Sequence, residues 1–113
     1  MASPQTENGF TRIANEIMEA FARIRINGEA RQVLDVIIRQ TYGYGKKEDA
    51  ISLSQFVLKT GISKPNICEA IKKLLTMNII TQKDNAIGNI YSIQKDFSQW
   101  KPLPKKITLP KKI

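Results

Sequence analysis

Apolar residues recur at helical spacing early in the chain. Ile17, Met18, Phe21 and Ile24 form one stripe, with Asn15 placed as an N-cap and Glu16 in the first turn. Asn27-Gly28 breaks this first helix. A second is predicted from about Glu29 to Tyr42, with Val33, Leu34, Ile37 and Ile38 inward. Gly43 supplies its stop, because glycine tolerates the left-handed conformation that closes many helices. Tyr42 to Lys47 then reads as a turn rich in aromatic and basic groups. Ile51 makes a short extended approach to Ser52-Leu53-Ser54-Gln55, where Ser52 and Gln55 have the spacing of a capping box. The third helix is short and ends by Thr60, with Phe56 and Val57 on its buried side.

Gly61-Ile62 forms a tight turn, and Ser63 caps a fourth helix with Pro65 in its first turn, where a missing N–H costs nothing. Ile67, Ile71, Leu74 and Leu75 make its buried face, and Asn78 stands where a left-handed C-cap is expected. The period then changes from helical to extended. Residues 79–83 and 90–93 read as two strands, and the Asp84 to Asn89 connection, with Asn85 and Gly88, suits a hairpin. Residues 1–9 are polar and turn-rich, and are expected to be loose. Beyond Trp100 the segment Leu103-Pro104-Lys105-Lys106-Ile107 recurs as Leu109-Pro110-Lys111-Lys112-Ile113. Its prolines forbid a continuous helix, so residues 101–113 read as an extended basic linker or tail. Phe97 and Trp100 either anchor the last segment on the domain or, near a basic tail, stack on a base.

At 113 residues the chain has room for one domain, and 42% apolar content is ordinary for a folded protein. No apolar run approaches the ~20 residues needed to span a bilayer. The N-terminus lacks the basic flank and apolar stretch of a signal peptide. The single cysteine, Cys68, cannot form an internal disulfide, and its position just off the buried stripe suggests a small core residue. These features suit a reducing cytoplasm. Histidine is absent, which removes the Ser-His-Asp triad, the Cys-His dyad and the common zinc sites. Glu48, Asp49, Asp84 and Asp96 occur in turns without a phosphate loop or a ligand pattern. No enzyme, metal or cofactor is therefore expected. The net charge of +8 is uneven, since residues 101–113 carry five lysines and no acid.

The order helix, helix, short strand, helix, tight turn, helix, hairpin is the winged helix-turn-helix layout, a mainly α fold with a small β-hairpin (α+β). In such a unit the second helix of the pair enters the major groove and the first braces it against the backbone. Pro65, Asn66, Glu69 and Lys72 fall on the outward face and are the candidates for base readout. Asn66 can pair with adenine, and Glu69 can accept from the amino group of cytosine. Ser52, Ser54, Ser63, Lys64 and Lys73 are candidates for phosphate contacts, with Lys46 and Lys47 as weaker ones. Lys83, Asn85 and Asn89 would form the wing. The competing reading for each is a solvated polar face or turn.

Several segments resemble the N-terminal domain of the phage replication protein O family. They are Gly9-Phe10-Thr11-Arg12-Ile13, the run Thr41-Tyr42-Gly43-Tyr44-Gly45-Lys46-Lys47-Glu48-Asp49, Ile51-Ser52-Leu53-Ser54-Gln55, and Thr60-Gly61-Ile62-Ser63 leading into the fourth helix. The resemblance covers residues 9 to 100. The chain departs from the family at Ala14, where proline is frequent, and at Pro65-Asn66, where a longer polar residue precedes Asn. The resemblance implies dimers on repeated, partly palindromic sites in a phage origin, local opening of the duplex, and a helicase loader recruited through a C-terminal region absent from this chain. Residues of the first two helices, notably Ile17, Met18, Phe21 and Ile24, would supply the dimer face or else the monomer core. Two other readings stay open: a winged-helix transcriptional regulator at promoter sites, and a protein-interaction module that no longer binds DNA.

Overall fold

The computed structural model describes residues 2–84 and 88–102. The first helix, α1, spans Asn15–Arg23 and follows a short 3-10 turn at Thr6–Asn8. Its N-cap is Ala14, not Asn15. The Ala14 carbonyl accepts from the Ile17 and Met18 amides, both at 3.1 Å, so the first turn closes one residue earlier than the side-chain pattern suggests. Ile17, Ala20 and Phe21 are buried, whereas Met18 is 48% exposed. The helix already ends at Arg23, and Ile24 follows in extended conformation, partly buried against the core.

Asn27 therefore starts the next helix instead of breaking the first. Its side chain accepts from the Ala30 amide at 2.9 Å, capping α2 (Gly28–Thr41). This helix is the centre of the molecule. Val33, Leu34 and Ile37 have no exposed surface. The buried Thr41 hydroxyl is satisfied by donating to the Ile37 carbonyl at 2.7 Å. Gly43 does not supply the left-handed stop. The helix runs on into a 3-10 turn at Tyr42–Tyr44, and Gly45, at φ +69°, reverses the chain. Gly43 matters for space, since a Cβ there would lie 2.6 Å from Arg39 Nη1.

The capping box forms as the spacing predicts. Ser52 Oγ accepts from the Gln55 amide at 3.2 Å, and Gln55 Oε1 accepts from the Ser52 amide at 2.9 Å. It opens α3 (Leu53–Thr60), whose Phe56 is fully buried and whose end is turned by Gly61 at φ +77°. Helix α4 (Lys64–Thr76) begins after Ser63, but the Ser63 hydroxyl makes no capping bond. Asn78 takes the left-handed conformation expected of it, at φ +61°.

Three strands make one antiparallel sheet in the order β1-β3-β2, with β1 at Glu48–Ala50, β2 at Ile80–Lys83 and β3 at Ile90–Ile93. The hairpin of β2 and β3 falls where the sequence places it; the short strand expected at Ile51 lies just before that residue, at Glu48–Ala50, although Glu-Asp-Ala has little intrinsic strand preference. Pairing imposes it: Glu48, Asp49 and Ala50 stand opposite Ser92, Tyr91 and Ile90. Ile80 faces Ile93 on the inner side, next to buried Tyr91. On the outer side the Thr81 and Ser92 hydroxyls hydrogen-bond. Four helices and this sheet make an α+β fold, consistent with a winged helix-turn-helix.

The last segment is clamped by aromatic packing. Trp100 stacks on Phe21 with centroids 4.9 Å apart, donates Nε1–H to the Gln94 carbonyl at 2.8 Å, and meets Phe97 edge-on. Phe97 and Trp100 thus anchor the segment, with the Trp100 ring turned to Phe21. Among the described residues no helix is long and apolar enough to cross a membrane.

Replacing Ser52 by alanine is expected to lower the unfolding free energy by about 1 kcal/mol, read as a shift in the urea midpoint at constant slope. Ser63→Ala, which removes no capping bond, is expected to shift the midpoint clearly less.

Candidate nucleic-acid interface

Helix α4 has one face locked into the core by Ile67, Ala70, Ile71 and Leu74, at i, i+3, i+4 and i+7. It packs on α2 and α3. The opposite face carries Pro65, Glu69, Lys72 and Thr76 along its centre, flanked by Lys64, Asn66 and Cys68, all exposed; Lys73 is half-buried. Among the described residues, the side chains of Asn66, Glu69 and Lys72 make no hydrogen bond or ion pair with one another or with a neighbour. Their donors and acceptors face water, free to exchange it for a ligand.

Cys68 is a correction. It is exposed on this outward face and does not belong to the core, because Ala70 takes the buried place between Ile67 and Ile71. Cys68 and Thr76 are the members of the face that sequence reasoning missed. The helical spacing from Pro65 and Lys72 would have found both.

The β1–β3 ladder decides which other candidates join the face. Ala50 lies beside Ile90, and the Ile51 amide donates to the Asn89 carbonyl at 3.2 Å. The start of α3 is thereby fixed next to the turn end of the hairpin. Ser54 and Lys64 line a common groove between α3 and α4 with Val57 and Leu58, and Leu58 is 84% exposed. Ser52 stands at this end too, its hydroxyl engaged in the capping box. Ser63 leaves the first-turn amides of α4 without a side-chain cap, and such amides favour an anionic oxygen.

Other candidates lie elsewhere or are already engaged. Lys46 and Lys47 precede Glu48, at the end of β1 away from the hairpin tip, and Lys46 Nζ is 3.3 Å from Asp49. They do not join the α4 face. Lys83 reaches across β3 to Glu48 at 3.1 Å. Asn89 hydrogen-bonds the Tyr91 phenol, whose burial pushes its pKa above the ordinary value while that bond works the other way. Asn85 lies outside the described residues, as does the tail from residue 103 onward. Among the described residues, no group of three acidic, Cys or His side chains is placed to hold a metal ion.

Residues 3–100 match the family described as Bacteriophage replication protein O. The chain belongs to the bacteriophage replication protein O family. The matched range stops at Trp100, the residue that clamps the end of the fold. Relatives in the family include Replication protein 15 of Enterobacteria phage phi80, 32% identical over 93 residues, which cover 82% of this chain and 31% of the relative. DNA replication protein gp18 of Salmonella phage P22 is 31% identical over 97 residues, covering 86% and 34%. Replication protein O of Escherichia phage lambda is 32% identical over 94 residues, covering 83% and 27%. The chain thus spans about a third of the length of the relatives it matches. No solved structure matches it significantly.

An exposed Cys68 is expected to react fully with a maleimide in the native protein, without denaturant, giving singly labelled chains by mass spectrometry. A core thiol would react only as the protein unfolds.

Proposed function

We propose that this domain binds double-stranded DNA sequence-specifically, at repeated sites of a phage replication origin, and that this binding starts replication. The observation that carries the reading is the outward face of α4, polar, unpartnered and braced by α3, in a chain of the replication protein O family. Asn66, Glu69 and Lys72 would read base edges in the major groove, with Pro65 in van der Waals contact. Lys64, Lys73, Ser54, Ser63 and the Ser52 end of α3 would hold phosphates, and the hairpin with Lys83, Asn85 and Asn89 would act as the wing. Binding is the whole of the proposed action, with no catalysis and no cofactor. A second copy of the chain on each palindromic repeat is part of the proposal. Because Ile17 and Phe21 lie in the monomer core, Met18 is the member of that stripe left to contribute. A helicase loader would be met by a region outside this chain, in the host cytoplasm.

The test is a titration into a labelled duplex of the origin repeats and into a scrambled duplex, over a range of salt. It is repeated with residues 103–113 removed, a cut that keeps Trp100 and Lys101 in place. Tighter binding to the repeats that survives the cut is expected, with each mismatched base pair costing ~1–3 kcal/mol. Asn66→Ala should lose roughly tenfold or more on the repeats and little on the scrambled duplex. Equal binding to both duplexes, abolished with the tail, would mean that the lysines bind DNA by charge alone. Preference for single promoter sites over origin repeats would make the domain a transcriptional regulator.

A further inference from the structure

The end of the sheet away from the hairpin carries a second group of exposed rings and cations that base reading by α4 does not use. Tyr44 is 60% exposed, with the Arg39 guanidinium carbon 4.8 Å from its ring centroid and Lys46 Nζ at 5.9 Å. Gly43 makes this stacking possible, since the space its missing Cβ leaves is crossed by the Arg39 side chain. Thr11 Oγ1 lies 3.3 Å from the same point, so the Phe10–Arg12 segment abuts the turn. Phe10 is 62% exposed, and the Arg12 guanidinium carbon stands 6.0 Å from its centroid. Arg12 in turn shares a cavity with Tyr42 and Lys95, and the Tyr42 hydroxyl is buried without a hydrogen-bond partner among the described residues.

The charge balance here is positive. Asp49 is occupied by Lys46, Glu48 by Lys83, and Asp96 accepts from Ser98. Arg12, Arg39, Lys47 and Lys95 have no acidic partner among the described residues. A guanidinium covers one face of a ring, and the exposure of Tyr44 leaves room for a second stacking partner. A protein interface over these residues would bury several unpaired cations, which interface cores avoid. A duplex keeps its base faces stacked on each other, so it has nothing to offer the rings. Unpaired bases on a phosphate backbone offer both a π-face for each ring and an anion for each cation.

We propose that Phe10, Arg12, Arg39 and Tyr44, at the turn between α2 and β1, form a binding site for single-stranded DNA distinct from the α4 reading face. The domain would then hold a duplex repeat on one surface and an unpaired strand on another, and this inference rests on the proposed function for the first of them. The site uses no residue assigned to duplex reading by α4, so the two can fail separately.

The experiment uses the whole chain, so the tail lysines are present in every variant and their contribution cancels. Binding of a labelled oligothymidine strand and of the origin-repeat duplex is followed by fluorescence anisotropy for the parent protein, Tyr44→Ala, Phe10→Ala and Tyr44→Phe. Each alanine variant is expected to weaken oligothymidine binding roughly tenfold while leaving the duplex affinity and the melting temperature unchanged. Tyr44→Phe should retain parent-like binding, because it keeps the ring. Unchanged oligothymidine affinity in both alanine variants overturns the proposal. So does a loss of self-association in Phe10→Ala, by sedimentation, with oligothymidine binding intact, because the patch would then be a contact between copies. A parent that binds oligothymidine through Tyr44 but does not prefer the repeats would uphold this site and remove the origin-reading function.

Discussion

The pairing of Glu48, Asp49 and Ala50 with Ser92, Tyr91 and Ile90 is short, yet the positions of both ends of the molecule depend on it. Because the strands are antiparallel, Ala50 comes to rest beside the turn end of the hairpin, and the Ile51–Asn89 hydrogen bond fixes the start of α3 there. The same pairing sends Lys47, Lys46 and Tyr44 the other way. At ~3.3 Å per residue, three residues separate the two ends by about 10 Å. Neighbours hold the strand, since its own composition disfavours it: Ile51 is buried at its end, Lys46 pairs with Asp49, and Lys83 reaches Glu48 over the central strand. Exposed ion pairs of this kind contribute little each, so the buried Ile51 and the ladder itself do most of the holding.

Helix α2 supplies the mass against which everything else is oriented. Its fully buried Val33, Leu34 and Ile37 take up α4, α3 and the inner face of the sheet. Once Ile67, Ala70, Ile71 and Leu74 are committed to that core, the polar row of α4 has nowhere to point except into solvent. Leaving Asn66, Glu69 and Lys72 without internal partners costs nothing in water, whereas the same groups buried and unpaired would be strongly destabilising. At the far end, Phe21 is held between Trp100 on one side and the Arg31 guanidinium carbon, 5.2 Å from its centroid. This clamp, with the Lys101 amide bonded to the Met77 carbonyl at 2.9 Å, closes the fold where the family match also stops.

The two ends are chemically different. The hairpin end gathers a helix face rich in hydrogen-bonding side chains, uncapped helix amides and the groove between α3 and α4. The other end gathers rings with cations stacked on them.

The sequence alone determined the features that rest on local chemistry. Ser52 and Gln55 form their capping box because both partners lie within one turn. Gly61 and Asn78 adopt left-handed backbone where helices must stop, and the change from helical to alternating period marks the hairpin. The outward row of α4 followed from the 3.6-residue repeat, and the family from its Tyr-Gly-Tyr-Gly-Lys-Lys-Glu-Asp run. Tertiary structure decided the rest. Strand β1 exists because β3 pairs with it, and no count of propensities reveals a partner some forty residues away. Gly45 reverses the chain in place of Gly43 because the α2 helix overruns into a 3-10 turn, leaving Gly43 to make room for Arg39. Cys68 faces solvent because a small Ala70 fits the gap against α2. Lys46, Lys47 and Tyr44 are separated from the α4 face because an antiparallel ladder fixes direction, and direction is a relation between segments that neither segment carries by itself.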